Sequence, residues 1–135
     1  MKLMFRIFLV LSLLLVSVIA DAEIGETDVI DAVATKPDSN IVILLIAQAR
    51  PWSETTLDLL NKKLSYYKEV IISGEFVKQK PEMANKKPRI IIAYQQMPNA
   101  DIESILEKLK QEFSEIKIDL YWGTRNDLAK IASKP

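Results

Sequence analysis

The chain has 135 residues, no cysteine, no histidine, and basic and acidic residues in equal number, 18 of each. That length bounds it to one domain with one core. Without imidazole or thiolate, Ser-His-Asp and Cys-His nucleophilic systems, thiol redox chemistry and the usual zinc sites are excluded, and balanced charge provides no global field toward nucleic acid or anionic lipid.

The first residues have the three parts of a secretory signal. Lys2 and Arg6 are basic, an apolar run of about 14 residues from Ile7 to Ala20 is broken only by Ser12 and Ser17, and small residues then meet an acidic stretch starting at Asp21. Ala20-Asp21-Ala22 supplies an A-x-A site, so residues 1–22 are expected to be removed after Ala22, with Ala20 as the second candidate. The run is shorter than the roughly 20 apolar residues that span a bilayer. That length speaks for cleavage over the alternative, an uncleaved tether, and the membrane is expected to be touched only through this segment. Removal of Lys2, Arg6 and Asp21 leaves 16 basic against 17 acidic residues. With no cysteine, the exported domain must be held by its core alone.

Residues 23–27 are polar, acidic and glycine-containing and read as a flexible lead, so the domain is expected to occupy 28–135. Asp28 to Ala34 reads as a short strand, Lys36 to Asn40 as a turn, and Ile41 to Ala47 as a strand covered on both faces. Ser53 caps a helix with Leu57, Leu60, Leu64, Tyr67 and Ile71 on its apolar side. Asp58, Lys62, Lys63, Ser65 and Glu69 fall on the solvated side, and Gly74 ends the helix. Glu75 to Lys80 reads as an edge strand protected by lysines, and Arg89 to Tyr94 as another strand with an apolar centre. A helix capped by Asn99 or Asp101 carries Ile102, Ile105, Leu106, Leu109 and Phe113 on one face. Alternation from Ile116 to Trp122 predicts a half-buried strand, and a short helix from Asn126 to Ala132 closes the chain.

These elements give the order β-β-α-β-β-α-β in an α/β (α+β) two-layer sandwich. A mixed sheet is expected with both main helices on one face, as a ferredoxin-like variant.

A set of residues carries a resemblance: Asp28, Val29, Ile30 and Asp31, Trp52 before a Leu-rich helix, Tyr67, Ser73-Gly74-Glu75, Pro81, and Lys87-Pro88-Arg89 before three isoleucines. Over roughly residues 28–122 the chain resembles a bacterial family of small α/β domains of unknown function. The resemblance implies the fold and no activity. The polar Ser-Asp-His-x-Asp stretch that the family places before the tryptophan is here Ala47-Gln48-Ala49-Arg50-Pro51, and the signal segment departs from the family's cytoplasmic habit.

No catalytic residue, metal site or cofactor is assigned. Ser65-Tyr66-Tyr67-Lys68 matches Ser-x-x-Lys, but the companion Ser-Asp-Asn and Lys-Thr-Gly motifs are absent, leaving a solvated helix face. Asp28 and Asp31 lie three apart and point to opposite sides of a strand, with Asp31 expected to bond nearby backbone. Two places suit binding. One is the loop before the first helix, with Arg50 and Trp52. The other is the basic turn with Lys86, Lys87 and Arg89. The expected role is a non-catalytic envelope domain that binds an envelope protein or an anionic ligand. Carboxylate or lysine enzyme chemistry is the alternative, and it requires a concave site with a strongly perturbed pKa, such as two carboxylates converging in a cleft.

Overall fold

The computed structural model describes residues 8–10, 24–35 and 39–135, and all that follows concerns these residues. Apart from the three-residue strand β1 (Phe8–Val10), the expected signal segment, with Ala20 and Ala22, lies outside them.

Four strands build the body of a mixed sheet: β2 (Ala32–Thr35), β3 (Ile41–Gln48), β4 (Lys87–Tyr94) and β5 (Asp119–Thr124). Their spatial order is their chain order. β1 lies outermost beside β2. β2 runs antiparallel to β3, as a short connection demands, while β3, β4 and β5 are parallel, each pair joined through a helix. The crossovers are α1 (Glu54–Ile72) and α3 (Ala100–Glu115). Two successive crossovers of the same hand moving in one direction must lie on the same face. Leu60, Leu64, Tyr67 and Val70 of α1 and Ile102, Leu106 and Phe113 of α3 accordingly share one core with Val42, Leu44, Ile46, Ile90, Ile92 and Leu120.

The opposite face, hereafter the back face, carries Ala32, Ala34, Ile43, Leu45, Ala47, Ile91 and Ala93. These residues pack with Leu128 and Ile131 of the short helix α4 (Leu128–Ala132). The central strands are thus buried on both sides, as their unbroken apolar runs require. The two-layer mixed sandwich with both main helices on one face is the fold.

Four expectations are corrected. Residues 75–80 form no strand: Glu75–Gln79 is a helical turn, α2, which buries Phe76 in the front core. Gly74 adopts φ 82, a left-handed conformation open to glycine, and this turns the chain directly into α2 instead of releasing an extended edge. With that strand gone, the order is β-β-α-β-α-β, and the parallel β3-β4-β5 sheet does not have the split βαβ arrangement of ferredoxin-like folds. The segment expected as a flexible lead is anchored, because Ile24 is wholly buried in the front core. The last strand begins at Asp119, since Lys117 sits at φ 67 and closes α3 through backbone bonds from Lys117 to Ser114 and from Ile118 to Phe113.

The fourth correction is Lys63, which is 0% exposed. It lies between Leu60 and Leu64 on the buried stripe of α1, where its ammonium meets the Asp31 carboxylate. The other Asp31 oxygen accepts from the Ala47 backbone N–H at 2.9 Å, the backbone bond expected of it. The Asp31 backbone N–H donates to the Tyr67 hydroxyl at 2.8 Å, and that hydroxyl donates to the Leu45 carbonyl. Burial pushes the Asp31 carboxyl above the ordinary carboxylate range, outweighing the pull of Lys63 and of the Ala47 N–H. Burial likewise holds the Tyr67 phenol far above its usual value, with the Asp31 charge adding to the effect, so Tyr67 stays a neutral donor.

Candidate functional site at the carboxyl ends of the parallel strands

Open parallel sheets bind ligands beyond the carboxyl ends of their strands, at the point where neighbouring connections leave toward opposite faces. Here that point lies between β4 and β5. After Tyr94 the chain turns to the front face through α3. After Thr124 it turns to the back face through a 3-10 turn (Arg125–Asp127) and α4. Between the two departures lies a cleft of about 360 Å³ lined by Tyr94, Gln95, Thr124, Arg125 and Asn126.

Each wall has a local cause. On the β5 side, Thr124 caps the 3-10 turn, and its backbone N–H and hydroxyl both donate to an Asp127 carboxylate oxygen, at 3.1 and 2.8 Å. Those two bonds hold the exposed Asp127 carboxyl below the ordinary carboxylate range. On the β4 side, Asn99 caps α3 by accepting from the Ile102 N–H at 3.0 Å, the first of the two caps expected. Burial raises the Tyr94 phenol, with Glu103 and Asp127 adding to the shift, so its hydroxyl is a neutral donor at the cleft wall.

Gly123 sets how closely the β5 connection folds back. A Cβ built there would stand 2.6 Å from Ile131 Cδ1 and 3.1 Å from Asp127 Cβ. Gly123→Ala is expected to lower stability by about 1–2 kcal/mol through overpacking, and the low end applies if the Ile131 side chain swings aside. Urea unfolding reads this directly, and an unchanged midpoint would mean that α4 packs less closely than the structure shows.

The loop beyond β3 borders the same rim. The Gln48 side chain, buried at the strand end, clasps the Arg50 backbone, accepting from its N–H at 3.0 Å and donating to its carbonyl at 2.9 Å. Ser53 caps α1, as expected, accepting from the Thr56 N–H at 3.1 Å. Trp52 donates its indole N–H to the Gln96 carbonyl at 2.7 Å and meets Tyr94 edge-on, with ring centroids 6.2 Å apart. Arg50 is exposed at this loop. The structure therefore joins Trp52 to the cleft through Tyr94.

The basic turn stands at the other end of the strands. Lys86 donates to the Ser39 carbonyl, and Lys87 pairs with Asp119 at 3.1 Å. Arg89 is not on the surface. Only 1% exposed, it forks onto Asp119 at 3.2 and 3.4 Å and donates to the Ile131, Ala132, Lys134 and Pro135 carbonyls. It latches the C-terminal helix to β4 and β5. Sequence reasoning joined these three residues because they are close in the chain, but strand alternation turns Arg89 onto the back face. The cleft residues Gln95, Thr124, Arg125 and Asn126 were not singled out. The signal for them was the end of each predicted parallel strand, which requires the sheet order before it can be read.

A second concavity, about 370 Å³, runs along the outer face of α1 beside Ser65, Lys68, Glu69, Ile72 and Ser73. Tyr67, between Ser65 and Lys68 in the chain, faces the core. Among the described residues no cluster of three or more acidic side chains suits a metal ion, and no helix is long and apolar enough to cross a membrane.

No curated protein and no solved structure matches the chain. Residues 22–126 match the family of unknown function DUF6572, a span that holds the lead, all four main strands and both crossover helices. In agreement with the resemblance carried by Asp31, Trp52, Tyr67 and Gly74, the chain belongs to that family.

Proposed function

We propose that this protein is an exported, non-catalytic binding domain of the cell envelope that takes a small anionic ligand in the cleft between the β4 and β5 ends. The observation that carries the reading is the divergence of the two connections around that cleft, with Arg125, Asn126, Gln95 and Tyr94 among the residues that line it. A guanidinium presents a fixed fork of donors that matches a carboxylate or phosphate, and neighbouring amides orient such a group. Arg50 and Trp52 on the adjoining rim extend the surface toward an envelope protein that presents the same acidic chemistry. The buried carboxylate–amine contact, Asp31 with Lys63, lines neither cleft, and this favours binding over carboxylate or lysine catalysis. Export is supported by the basic start, apolar run and A-x-A site, and by a family match that begins at residue 22, where the leader is expected to end.

Expression of the full-length chain in a Gram-negative host, fractionation and intact-mass measurement test export. A periplasmic species beginning at Glu23 is expected, and an uncut membrane species would refute it. Thermal unfolding of that species against separate carboxylates, phosphates and sulfonates tests binding. A ligand present at about a hundred times its Kd stabilises by about 2.7 kcal/mol, which moves the midpoint by several degrees. Arg125→Ala is expected to weaken that ligand about tenfold or more. Binding unaltered by Arg125→Ala, or no shift from any anion, would overturn the assignment of the cleft.

A further inference from the structure

We propose that the outer edge of β2 is a strand-addition site, occupied by the chain's own Phe8–Val10 before the leader is cut and by β2 of a second copy afterwards. The mature protein is then a two-fold symmetric dimer. The second occupant rests on the export reading above, while the first stands on the sheet alone.

Phe8, Leu9 and Val10 lie beside Val33, Ala34 and Thr35 in parallel register, so the backbone groups on this edge are open to another strand. Cleavage after Ala22 takes that strand away. What remains, Ala32-Val33-Ala34-Thr35, is short but contains no charge and no proline to oppose pairing. The sheet's other edge is built differently. Beside β5, Lys110 lies 4.6 Å from the Tyr121 ring centroid and 5.7 Å from that of Trp122, and Lys134 lies 5.1 Å from Tyr121. Cations along an outer strand oppose pairing with a further chain.

One adhesive edge and one guarded edge decide the assembly. Pairing of β2 with β2 across a two-fold axis uses the adhesive edge of both copies and closes, whereas pairing of β2 with β5 would propagate into a filament and is opposed by the lysines. Among the described residues the only helix on the back face is α4.

Mass in solution at roughly 50 µM, by light scattering on a sizing column and by native mass spectrometry, tests this on three chains. The processed chain from the periplasm is expected to be a dimer. The uncut chain, made by cell-free synthesis without signal peptidase, is expected to be a monomer because β1 holds the edge. The uncut Leu9→Pro chain, whose β1 can no longer pair, is expected to dimerise. A monomeric processed chain with native circular dichroism would overturn the proposal, as would equal masses for the uncut chain and its Leu9→Pro variant. If cells yield no processed chain, the export reading fails by itself, and the two uncut chains still decide the edge.

Discussion

Lys63→Met is expected to destabilise the domain by about 3–5 kcal/mol at neutral pH, because it leaves the Asp31 carboxylate buried without its counter-charge. Asp31 is 1% exposed and keeps only the Ala47 N–H as a donor to its side chain once the ammonium is gone. Adding Asp31→Asn should recover much of the loss, since both desolvated charges are then removed and the Asn carbonyl can still accept from Ala47. Urea midpoints for the two single variants and the double variant close a mutant cycle. A Lys63→Met loss below about 1 kcal/mol would show that the pair is not buried as described.

The same pair has a pH signature. In the folded state the Asp31 carboxyl titrates above its ordinary value of 3.8, so between that value and the raised one the native protein binds more protons than the unfolded chain. Stability from this group is present at low pH and is lost as pH rises through the native value, the reverse of the usual carboxylate contribution. The difference in unfolding free energy between wild type and Asp31→Asn, followed upward from about pH 4, should therefore drift against wild type. A flat difference would mean that Lys63 fully offsets burial.

Arg89→Leu should cost about 3–5 kcal/mol and release the C-terminal helix. Its guanidinium joins Asp119 on β5 to four backbone oxygens between Ile131 and Pro135, so one substitution strands a carboxylate and removes the donors that end α4. Arg89→Lys should recover little, because an ammonium cannot reproduce the fork. Hydrogen exchange will separate the local effect from the global one. Amides of α4 and of the Arg125–Asp127 turn are expected to lose protection in Arg89→Leu well before those of β3. Uniform loss across the sheet would instead make Arg89 a general core residue. Since α4 carries the back wall of the cleft connection, ligand affinity should fall together with α4 protection.

Much of this was legible in the chain. Ser53, Asn99 and Gly74 marked helix ends because side-chain caps and left-handed glycine are local chemistry, complete within a few residues. The apolar run 41–47 announced a strand covered on both faces because such burial leaves no position for polar residues, and the isoleucines after Arg89 announced a further strand. The turn holding Arg50 and Trp52 was visible for the same reason as the helix ends, since it ends one element and caps the next within a few residues.

Composition and periodicity were enough, then, for the two main helices on one face, the central strands and the absence of imidazole and thiolate chemistry, while residues 75–80 were misassigned. The former follow from composition and from periods of two and of three to four residues. The tertiary structure alone decided where charges went. Lys63 entered the core because Asp31, 32 residues earlier, is brought to it by the antiparallel β2–β3 pair, and Arg89 left the basic turn because the returning C-terminus offered it carbonyls. It also decided the site, since a cleft at a switch point exists only once β4 and β5 are neighbours and their connections part to opposite faces. Contacts between residues distant in the chain carry no period, so nothing local could announce them.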